Sequence, residues 1–310
     1  MPFVQKKFFC TKKTKIIEFL CQTLNCSELE AKRLVDKSRV FQNNQQVTKK
    51  GELIEGEILI TLFENEKAKN LPIFTHNEFA IYDKPSGILV HPQKISSEYT
   101  LLDDIKSTFG KTANITHRID KETSGLVLVS KNKESEKFFK LAFEAKKIEK
   151  SYFAYAKGKI DKRYEINESI LKFRDLSSRL DPLSEDGRKS LTIIEPIRYF
   201  ENLNITLVKA IPITGRTHQI RIHLWSIGYP IIGEPLYGNT TEFRNDYIEK
   251  KLTEKERIKI TGANRLLLHA NELKFKFDSS YHIFSKSDFT TEEFLKVVGL
   301  VGLEPTTIPL

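Results

Sequence analysis

A carboxylate flanked by cations precedes an apolar segment near the middle of the chain. Asp120 has Arg118 two positions before it and Lys121 directly after it, and the apolar run Gly125–Ser130 follows. Nearby positive charge favours the ionised form of a carboxyl group. The run has the length of a buried strand, so we expect Asp120 on a loop at a strand end. A charged surface turn without a function would show the same charges.

A second group of polar residues lies at the predicted start of a helix. In TGRTHQIRIHL, Thr217 is a favourable N-cap, and Gly228 is a favourable stop further along. On that helix His218 and Arg221 share one face, because residues three positions apart are neighbours. A helix N-terminus preceded by Gly-Arg is a typical phosphate-binding site. Arg216 and His218 are therefore candidate contacts to a substrate or a phosphate backbone.

A tyrosine between small residues is the third feature. In the segment KSYFAYAKG, Tyr152 and Ala154 fall on one face of a strand, because strand side chains alternate. Small neighbours leave room for a planar ligand to stack on the tyrosine ring. A core aromatic residue is the commoner role of a tyrosine in a strand, and the pattern alone leaves both interpretations open.

The bulk composition bounds the class of protein. The chain has 310 residues, a formal charge of +9 and 39% hydrophobic residues, which fits one large and one small globular domain. The positive charge favours encounters with polyanions such as RNA, DNA or anionic membranes, although a lysine-rich surface alone would produce it. Apolar runs such as Leu266–Leu268 are too short to cross a bilayer, and the N-terminus lacks a signal-peptide core. We therefore predict a cytoplasmic protein without a membrane partner.

Cysteine and histidine spacing argues against a metal site. The three cysteines, Cys10, Cys21 and Cys26, form no CxxC pair, which disfavours both a zinc site and a disulfide framework. His218 and His223 do not share a helical face well. We therefore expect no bound metal.

The first part of the chain has the pattern of a small domain. Residues 1–13 are a short basic lead-in, and residues 14–63 form the domain itself. Apolar residues at helical spacing predict a first helix, and Ser27-x-x-Glu30 is a capping-box signature for a second one. An Asn-Asn turn and a final alternating strand then predict a hairpin.

Two short helices followed by a hairpin resemble an S4 RNA-binding domain. Lys32, Arg33 and Lys37 lie on the second predicted helix, where they are candidate RNA contacts. The alternative is a generic small helical cap with solvated lysines.

A larger domain is predicted over residues 72–297, between the polar linker 64–71 and an apolar tail, 298–310, that has no regular period. Its predicted strands are Phe79–Tyr82, Gly125–Ser130, Ser151–Lys157 and Asn204–Ala210. Residues 134–147 are predicted to form an amphipathic helix whose apolar face comprises Phe138, Leu141, Ala142 and Ala145.

Five segments of the larger domain resemble the conserved blocks of the RluA-type pseudouridine synthases. In chain order they are KPSGILVHP, HRIDKETSGLVLVSK, KSYFAYAKG, TGRTHQIRIHLWSIGYPIIGEPLYG and RLLLHA. The agreement extends from about Ile81 to Ala270, and five ordered motifs are far more specific than any one of them. The family usually has Gly-Asp where this chain has Gly233-Glu234, a conservative change in a loop. Many members also carry an S4 domain.

The resemblance implies a fold and a reaction. The fold would be α+β, with a catalytic domain on a long mixed, mainly antiparallel sheet and a small N-terminal S4-like α/β domain. The chain would be an isomerase that breaks the uracil N1–C1′ bond of an RNA uridine, turns the base and rejoins it through C5. The reaction involves no redox change and consumes no water, so no cofactor is expected.

The resemblance also implies roles for individual residues. Asp120 would be the catalytic carboxylate, either adding covalently to C1′ or removing a C2′ proton. Arg221 would pair with Asp120 and keep it ionised. Tyr152 would stack on the uracil, and Arg118 would occupy the gap left when the target nucleotide flips out of the RNA helix.

The identity of the RNA stays open at this point. Large-subunit ribosomal RNA is the leading expectation, because S4-bearing members of this type often act there, and transfer RNA is the alternative. A non-catalytic S4-type RNA-binding protein is the rival of a different class, and positive charge alone would fit it. An RNA methyltransferase is disfavoured because no GxGxxG follows a strand and no P-loop occurs. We expect a monomer.

Overall fold

Four stretches of the chain are described by the structure, a computed structural model: residues 3–63, 68–92, 99–171 and 182–300. They form two units, one comprising the chain up to Lys69 with His91–Lys111, and the other comprising Asn70–Val90 and the chain from Thr112 onwards. Within these stretches, no helix is long and apolar enough to cross a membrane. Residues 64–67 of the predicted linker and 301–310 of the predicted tail lie outside the described residues.

The first unit contains a four-stranded antiparallel sheet in the order β1-β4-β2-β3. Its described elements are β1 (Phe3–Lys15), α1 (Ile16–Leu24), α2 (Glu28–Asp36), β2 (Val40–Gln42), β3 (Gln45–Gln46), β4 (Leu53–Phe63) and α3 (Leu101–Phe109). Apolar residues of α1 and α2, including Leu20 and Val35, are buried in one core with sheet residues such as Ile58 of β4.

Local signals in the sequence explain how α2 begins and how β2 turns into β3. Ser27 Oγ accepts the N–H of Glu30 at 3.3 Å, and Glu30 Oε2 accepts the N–H of Ser27 at 3.0 Å. The predicted capping box is therefore confirmed. Asn43 and Asn44 both have positive φ, as a two-residue hairpin turn requires.

The N-terminal segment differs from the expectation of a separate lead-in over residues 1–13. Phe3–Lys15 forms β1 and pairs with β4. The reason is visible in its side chains, because Cys10 is buried and Phe8 packs against the core of this unit. The many lysines of the segment hide the apolar residues that mark it as a strand in the sequence.

The larger unit is built on a ten-stranded mixed sheet with five described α-helices. Its strands are β5 (Pro72–Thr75), β6 (Phe79–Lys84), β7 (Asn114–Ile115), β8 (Ser124–Ser130), β9 (Glu149–Lys157), β10 (Tyr164–Asn167), β11 (Leu191–Phe200), β12 (Ile205–Pro212), β13 (Leu268–Lys276) and β14 (Ser280–Phe284). Its helices are α4 (Lys133–Glu144), α5 (Gln219–Ser226), α6 (Thr241–Ile248), α7 (Glu254–Thr261) and α8 (Phe289–Leu300). The main strand order is β10-β11-β12-β9-β13-β8-β6-β5, with β14 beside β13 and β7 beside β8.

Strands β8 and β13 pair in parallel at the centre of this sheet, whereas the other described pairs are antiparallel. Gly125 lies at the junction with φ +104°, and a Cβ there would come within 2.2 Å of Ala270 O. Only glycine permits this close approach. The predicted α+β fold with a long, mainly antiparallel sheet is confirmed.

Helix α4 buries Ala142 of the predicted apolar face but leaves the rest of that face exposed. Ser135, Phe139 and Ala142 are buried, whereas Phe138 is 42% exposed and Leu141 is 54% exposed. Adjacent phenylalanines give this segment two nearly equivalent apolar faces. Packing against a phenylalanine of β6, with ring centroids 5.3 Å apart, selects the face that carries Phe139.

Candidate active site

Asp120 lies on the irregular loop between β7 and β8, at a strand end as the sequence predicts. The Pro-Ser-Gly turn after β6 holds this loop by two hydrogen bonds. Ser86 Oγ donates to Glu122 O at 2.6 Å, and Gly87 N donates to Lys121 O at 2.9 Å. The turn therefore supports the loop that carries the carboxylate.

Lys84 supports the same loop from within the protein. Its side chain is fully buried, and its ammonium donates to the carbonyl oxygens of Pro85, Ile88 and Lys121 at 2.9, 2.8 and 3.1 Å. Burial lowers the pKa of Lys84 to about 7, while the negative charge of Asp120 acts in the opposite direction. Lys84 therefore supports the Asp120 loop through the carbonyl of Lys121 and also interacts electrostatically with Asp120.

His117 fixes the beginning of the loop. Its Nε2 accepts the backbone N–H of Leu128 at 2.9 Å. Burial, together with the positive charge of Lys150, lowers the pKa of His117 to about 3, so its imidazole is neutral at pH 7. An acceptor role at Nε2 places the proton on Nδ1, and His117 therefore serves to shape the loop.

Arg221 reaches Asp120 from α5. Its Nη1 donates to Asp120 Oδ2 at 3.1 Å. Arg221 is buried, and the side chain of Asp120 is 25% exposed, so this carboxylate is open to solvent on one side only. The fold thus brings together two residues from separate sequence motifs.

The start of α5 differs from the prediction. His218 rather than Thr217 occupies the N-cap position, with a left-handed backbone at φ 57° and no side-chain capping bond. The Gln219 side chain organises the preceding turn instead, because its Oε1 accepts from Arg216 N at 3.0 Å and from Thr214 Oγ1 at 2.7 Å. A left-handed non-glycine residue is uncommon and costs on the order of 1 kcal/mol.

Glu234 anchors the far side of Arg221. Its two carboxylate oxygens accept from Arg221 Nε and Nη2, each at 2.7 Å, in a bidentate pair. Its Oε1 also accepts the N–H of Leu236 at 2.8 Å. Burial opposes the charge of Arg221, but Glu234 and, to a smaller degree, Asp120 raise its pKa well above the usual range. Two carboxylates therefore share one guanidinium group.

His218 and Tyr237 complete the surroundings of the carboxylate. His218 Nε2 lies 3.8 Å from Asp120 Oδ2, and its Nδ1 lies 2.8 Å from Tyr237 Oη. The Arg221 guanidinium lies 5.4 Å from the centroid of the Tyr237 ring. His218 thus belongs to the carboxylate cluster, in which its side chain contacts two polar neighbours.

Tyr152 approaches the same carboxylate from β9. It is buried, and its cross-strand partners on β12 and β13 are Ala210 and Ala270. Burial, together with the negative charge of Asp120, raises the pKa of the Tyr152 phenol above its usual range. The phenol is therefore protonated at neutral pH, and small residues flank it across the sheet.

Glu122 ties the Asp120 loop to the segments that follow α5. Arg257 donates from Nη1 and Nη2 to its two carboxylate oxygens at 2.9 and 2.5 Å, and Tyr247 Oη donates at 2.6 Å. The N–H of Leu266 donates at 3.0 Å. Burial of Glu122 acts to raise its pKa, but these partners hold the pKa below the usual range. The loop is thereby fixed by an ion pair on α7.

Two other predicted contacts of the larger unit, Arg118 and Arg216, show no contact with Asp120. Arg118 is exposed on the Asp120 loop. Arg216 donates from Nε and Nη2 to Lys189 O at 3.4 and 3.3 Å. The candidate RNA contacts on α2, in the first unit, are Lys32, Arg33 and Lys37.

Three members of the site are not predicted by their types and spacing. Glu234, Tyr237 and Glu122 all fall inside the quoted motifs, and Glu234 also stands where the family usually has aspartate. Their side-chain partners lie 13 to 135 positions away in the chain, so the pairing depends on tertiary structure. The sequence motifs include these three residues, but they do not show which side chains contact each other.

The geometry favours chemistry at an electron-poor carbon. A partly exposed carboxylate is held by a buried guanidinium, and a buried, protonated phenol lies close enough for the carboxylate charge to raise its pKa. Such a carboxylate can act as a nucleophile or as a base. The fixed guanidinium provides electrostatic stabilisation that needs no rearrangement.

Comparisons with known proteins identify the family of this chain. The RNA pseudouridylate synthase family profile matches residues 78–226, a span that includes Asp120, Tyr152 and Arg221. A Helicobacter pylori (strain ATCC 700392 / 26695) protein described as an uncharacterized RNA pseudouridine synthase is 40% identical over 304 residues, covering 96% of this chain and 98% of the relative. Ribosomal large subunit pseudouridine synthase C of Haemophilus influenzae is 31% identical over 212 residues, covering 67% and 61%.

Solved structures show the same fold. Human RNA Pseudouridylate Synthase Domain Containing 4 aligns with a TM-score of 0.56 at 21% identity, covering 75% of this chain and 93% of that one. Human RNA Pseudouridylate Synthase Domain Containing 1 gives a TM-score of 0.55 at 21% identity, covering 73% and 86%. Taken with the sequence relatives, these matches show that the chain belongs to the RluA-type family of RNA pseudouridine synthases.

Proposed function

We propose that this chain isomerises uridine to pseudouridine in large-subunit ribosomal RNA, with Asp120 as the catalytic carboxylate. The observation that supports the assignment most directly is the 3.1 Å contact from Arg221 Nη1 to Asp120 Oδ2. A guanidinium at that distance keeps the carboxylate ionised. An ionised carboxylate can add to ribose C1′ or remove the C2′ proton, and both routes release uracil from C1′.

Tyr152 is proposed to stack on the detached base while the base turns. The base then joins C1′ through C5 and loses the C5 proton to complete the isomerisation. Because the pKa of the Tyr152 phenol is raised, the phenol is a poor base at neutral pH. Stacking is therefore the main role that we assign to its ring, with small cross-strand neighbours at Ala210 and Ala270.

Cations at the protein surface are proposed to hold the RNA around the flipped nucleotide. Arg118, on the Asp120 loop, would occupy the gap in the RNA helix, since flipping costs a few kcal/mol that contacts can offset. Arg216 would contact the RNA backbone, and the first unit would act as an S4 RNA-binding domain through Lys32, Arg33 and Lys37. Such phosphate contacts make binding strongly salt-dependent.

Ribosomal RNA is proposed as the substrate because two relatives carry names that specify the large ribosomal subunit. One is the Haemophilus influenzae protein, and the other is Ribosomal large subunit pseudouridine synthase D of Buchnera aphidicola, which is 27% identical over 271 residues and covers 82% of this chain. Transfer RNA is the alternative substrate. We further propose that the protein acts as a monomer in the cytoplasm.

The substitution Asp120→Asn tests the catalytic assignment. Asparagine keeps the size of the side chain but removes the negative charge, so we expect turnover to be abolished while RNA binding is retained. The measurement is tritium release from transcripts labelled with 5-tritiated uridine, using large-subunit ribosomal RNA and a transfer RNA pool in parallel. Release at a near-normal rate by the variant would contradict the role of Asp120.

The substrate itself is tested by mapping modified sites in cells. In a strain that lacks the gene, carbodiimide treatment and primer extension should show a lost pseudouridine in large-subunit ribosomal RNA. Restoring the wild-type gene should return it, and the Asp120→Asn gene should not. Full restoration by the Asp120→Asn gene would instead favour the non-catalytic RNA-binding role.

A further inference from the structure

Lys150 is a partly buried cation near the active site, and it has no acidic partner among the described residues. It lies on β9 two positions before Tyr152, so the two side chains project from the same face of the strand. No carboxylate of the described residues lies within ion-pair distance of its Nζ. The ammonium lies instead 5.6 Å from the centroid of the Phe143 ring.

Other buried cations in the larger unit have strong partners. Lys84 donates to three carbonyl oxygens. Arg221 and Arg257 each hold a carboxylate by two hydrogen bonds, and Arg265 pairs with Glu293 at 3.0 Å. Lys150 therefore differs from these cations, because in the part of the chain that the structure describes its ammonium has neither a carboxylate nor a set of carbonyl oxygens as partners.

Two neighbours define the surroundings of Lys150. A Cβ built on Gly215 would lie 3.4 Å from Lys150 Nζ, so the ammonium lies against the loop that leads to Arg221. The N–H of Gly215 donates to no acceptor among the residues that the structure describes. The charge of Lys150 also helps to lower the pKa of His117, at the start of the Asp120 loop.

An ammonium removed from water without an acidic partner is unfavourable. Burial alone lowers the pKa of Lys150, because the charged form loses hydration that no carboxylate replaces. The contact with the Phe143 ring is only a partial substitute. An anionic group of a bound molecule would supply the counter-ion that the Lys150 ammonium lacks.

We propose that Lys150, with the Gly215 N–H as a second donor, binds a phosphate group of the RNA chain beside the target uridine. The inference rests on the proposed function, in which the uridine lies between Tyr152 and Asp120. Phosphates are the anionic groups of an RNA chain, and they lie a few bonds from the sugar that reacts. Lysine binds phosphate as a compact point charge.

The first test measures RNA binding without turnover. Lys150→Gln and Lys150→Arg are placed in the Asp120→Asn background and titrated with unmodified large-subunit ribosomal RNA and transfer RNA transcripts. Lys157→Gln is the matched control, because Lys157 is an exposed lysine on the same strand and the change in charge is identical. Binding is measured over a series of salt concentrations.

The expected result is specific to Lys150. Loss of one charge-assisted hydrogen bond should raise the Kd by about tenfold for Lys150→Gln. The slope of log Kd against log salt should fall by about 0.7 to 0.9, as expected for one phosphate contact. Lys150→Arg should recover most of the affinity. Lys157→Gln should change the Kd by less than about twofold, because Lys157 is exposed and lies at the other end of β9 from Lys150, where its charge is screened.

The second test separates binding from folding and from chemistry. In the wild-type background, most of the loss of kcat/KM for Lys150→Gln should appear in KM, since a phosphate contact is made equally in the ground and transition states. Its thermal unfolding midpoint should not fall, because the variant loses an unmatched charge. A purely structural role would lower the midpoint and leave the salt slope unchanged.

The outcomes separate this inference from the proposed function. If wild-type protein releases tritium and Lys150→Gln has the same Kd and salt slope as Lys157→Gln, Lys150 does not bind phosphate. If wild-type protein releases no tritium from either class of transcript, the proposed function fails. A Kd that rises equally for all three variants would indicate general electrostatics and would overturn the phosphate site.

Discussion

At the scale of single residues, Arg221 is shared unequally by two carboxylates. Glu234 accepts two of its N–H groups at 2.7 Å, and Asp120 accepts one at 3.1 Å. Glu234 is almost completely buried, whereas Asp120 is partly open to solvent. The buried carboxylate therefore holds the guanidinium, and the exposed one is left available for chemistry.

Glu234→Gln should damage both stability and activity. Removing one partner of a buried ion pair leaves a charge that is only partly matched, which typically costs about 3–5 kcal/mol, and Asp120 partly offsets this here. We expect a clear loss of unfolding free energy in urea and a reduced rate of tritium release. Glu234→Asp keeps the charge and should lie between wild type and Glu234→Gln in both measurements. Equal stability of Glu234→Gln and wild type would show that Glu234 does not anchor Arg221.

Tyr152→Phe and Tyr152→Ala distinguish stacking from proton transfer. Phenylalanine keeps the aromatic face, so we expect slowed but measurable rearrangement. Alanine should lose the stacking contribution of about 1–3 kcal/mol, which corresponds to about 5- to 150-fold in rate. Single-turnover tritium release at saturating RNA measures both variants. Normal rates for Tyr152→Ala would remove this residue from the site.

At the scale of elements, the parallel junction between β8 and β13 determines where the Asp120 loop ends. Gly125 permits this junction because its missing Cβ leaves space for the Ala270 carbonyl. The turn after β6 then holds the loop from the opposite side through Ser86 and Gly87. The carboxylate is thus positioned by two strand ends together.

Gly125→Ala should disrupt the fold more than a comparable substitution in the turn. A Cβ at Gly125 would come 2.2 Å from Ala270 O, whereas a Cβ at Gly87 would have nothing within 4 Å, although Gly87 also has positive φ, at +89°. Gly87→Ala should therefore cost only the backbone strain, about 1–2 kcal/mol. Gly125→Ala should cost several kcal/mol more, measured by urea unfolding. Similar losses for both variants would contradict the steric explanation.

The sequence predicts elements well where periodicity or a cap is strong, and it predicts side-chain pairing less well. The α2 capping box and the central strands follow from local chemistry. The buried face of α4 does not, since Phe138 and Phe139 are adjacent and only tertiary packing separates them. The start of α5 is also missed, because the backbone of His218 is held left-handed in a turn organised by Gln219.

At the scale of the whole molecule, the larger unit contains two fully buried histidines on its central elements. His223 on α5 lies 2.9 Å from Thr192 Oγ1, and His269 on β13 lies 2.9 Å from Ser124 Oγ. Burial lowers the pKa of each to about 4 from the usual 6.5. The folded unit therefore keeps both imidazoles neutral at pH values where the unfolded chain protonates them.

This difference predicts acid sensitivity between pH 6.5 and pH 4. The unfolded chain binds more protons in this window, so stability is complete above pH 6.5 and is lost as pH falls toward 4. The pKa of His117 is lowered as well, to about 3. Together the three histidines should lower the free energy of unfolding by about 4 kcal/mol between pH 7.5 and pH 5.5. Urea unfolding at several pH values measures the loss. His223→Gln should remove about a third of the dependence on pH, and an unchanged dependence would exclude its role.

The double hold of Glu234 on Arg221 has a consequence for the catalytic cycle. In the proposed reaction Asp120 loses its charge for part of each turnover, either as an ester or as a protonated acid. If Asp120 were its only partner, the Arg221 guanidinium would then be a buried charge without a counter-ion, which is unfavourable, and it would have to move. Because Glu234 holds Arg221 by two hydrogen bonds, the guanidinium keeps a counter-charge and its position throughout the cycle. When pseudouridine leaves, the regenerated Asp120 carboxylate can pair with Arg221 again without any rearrangement.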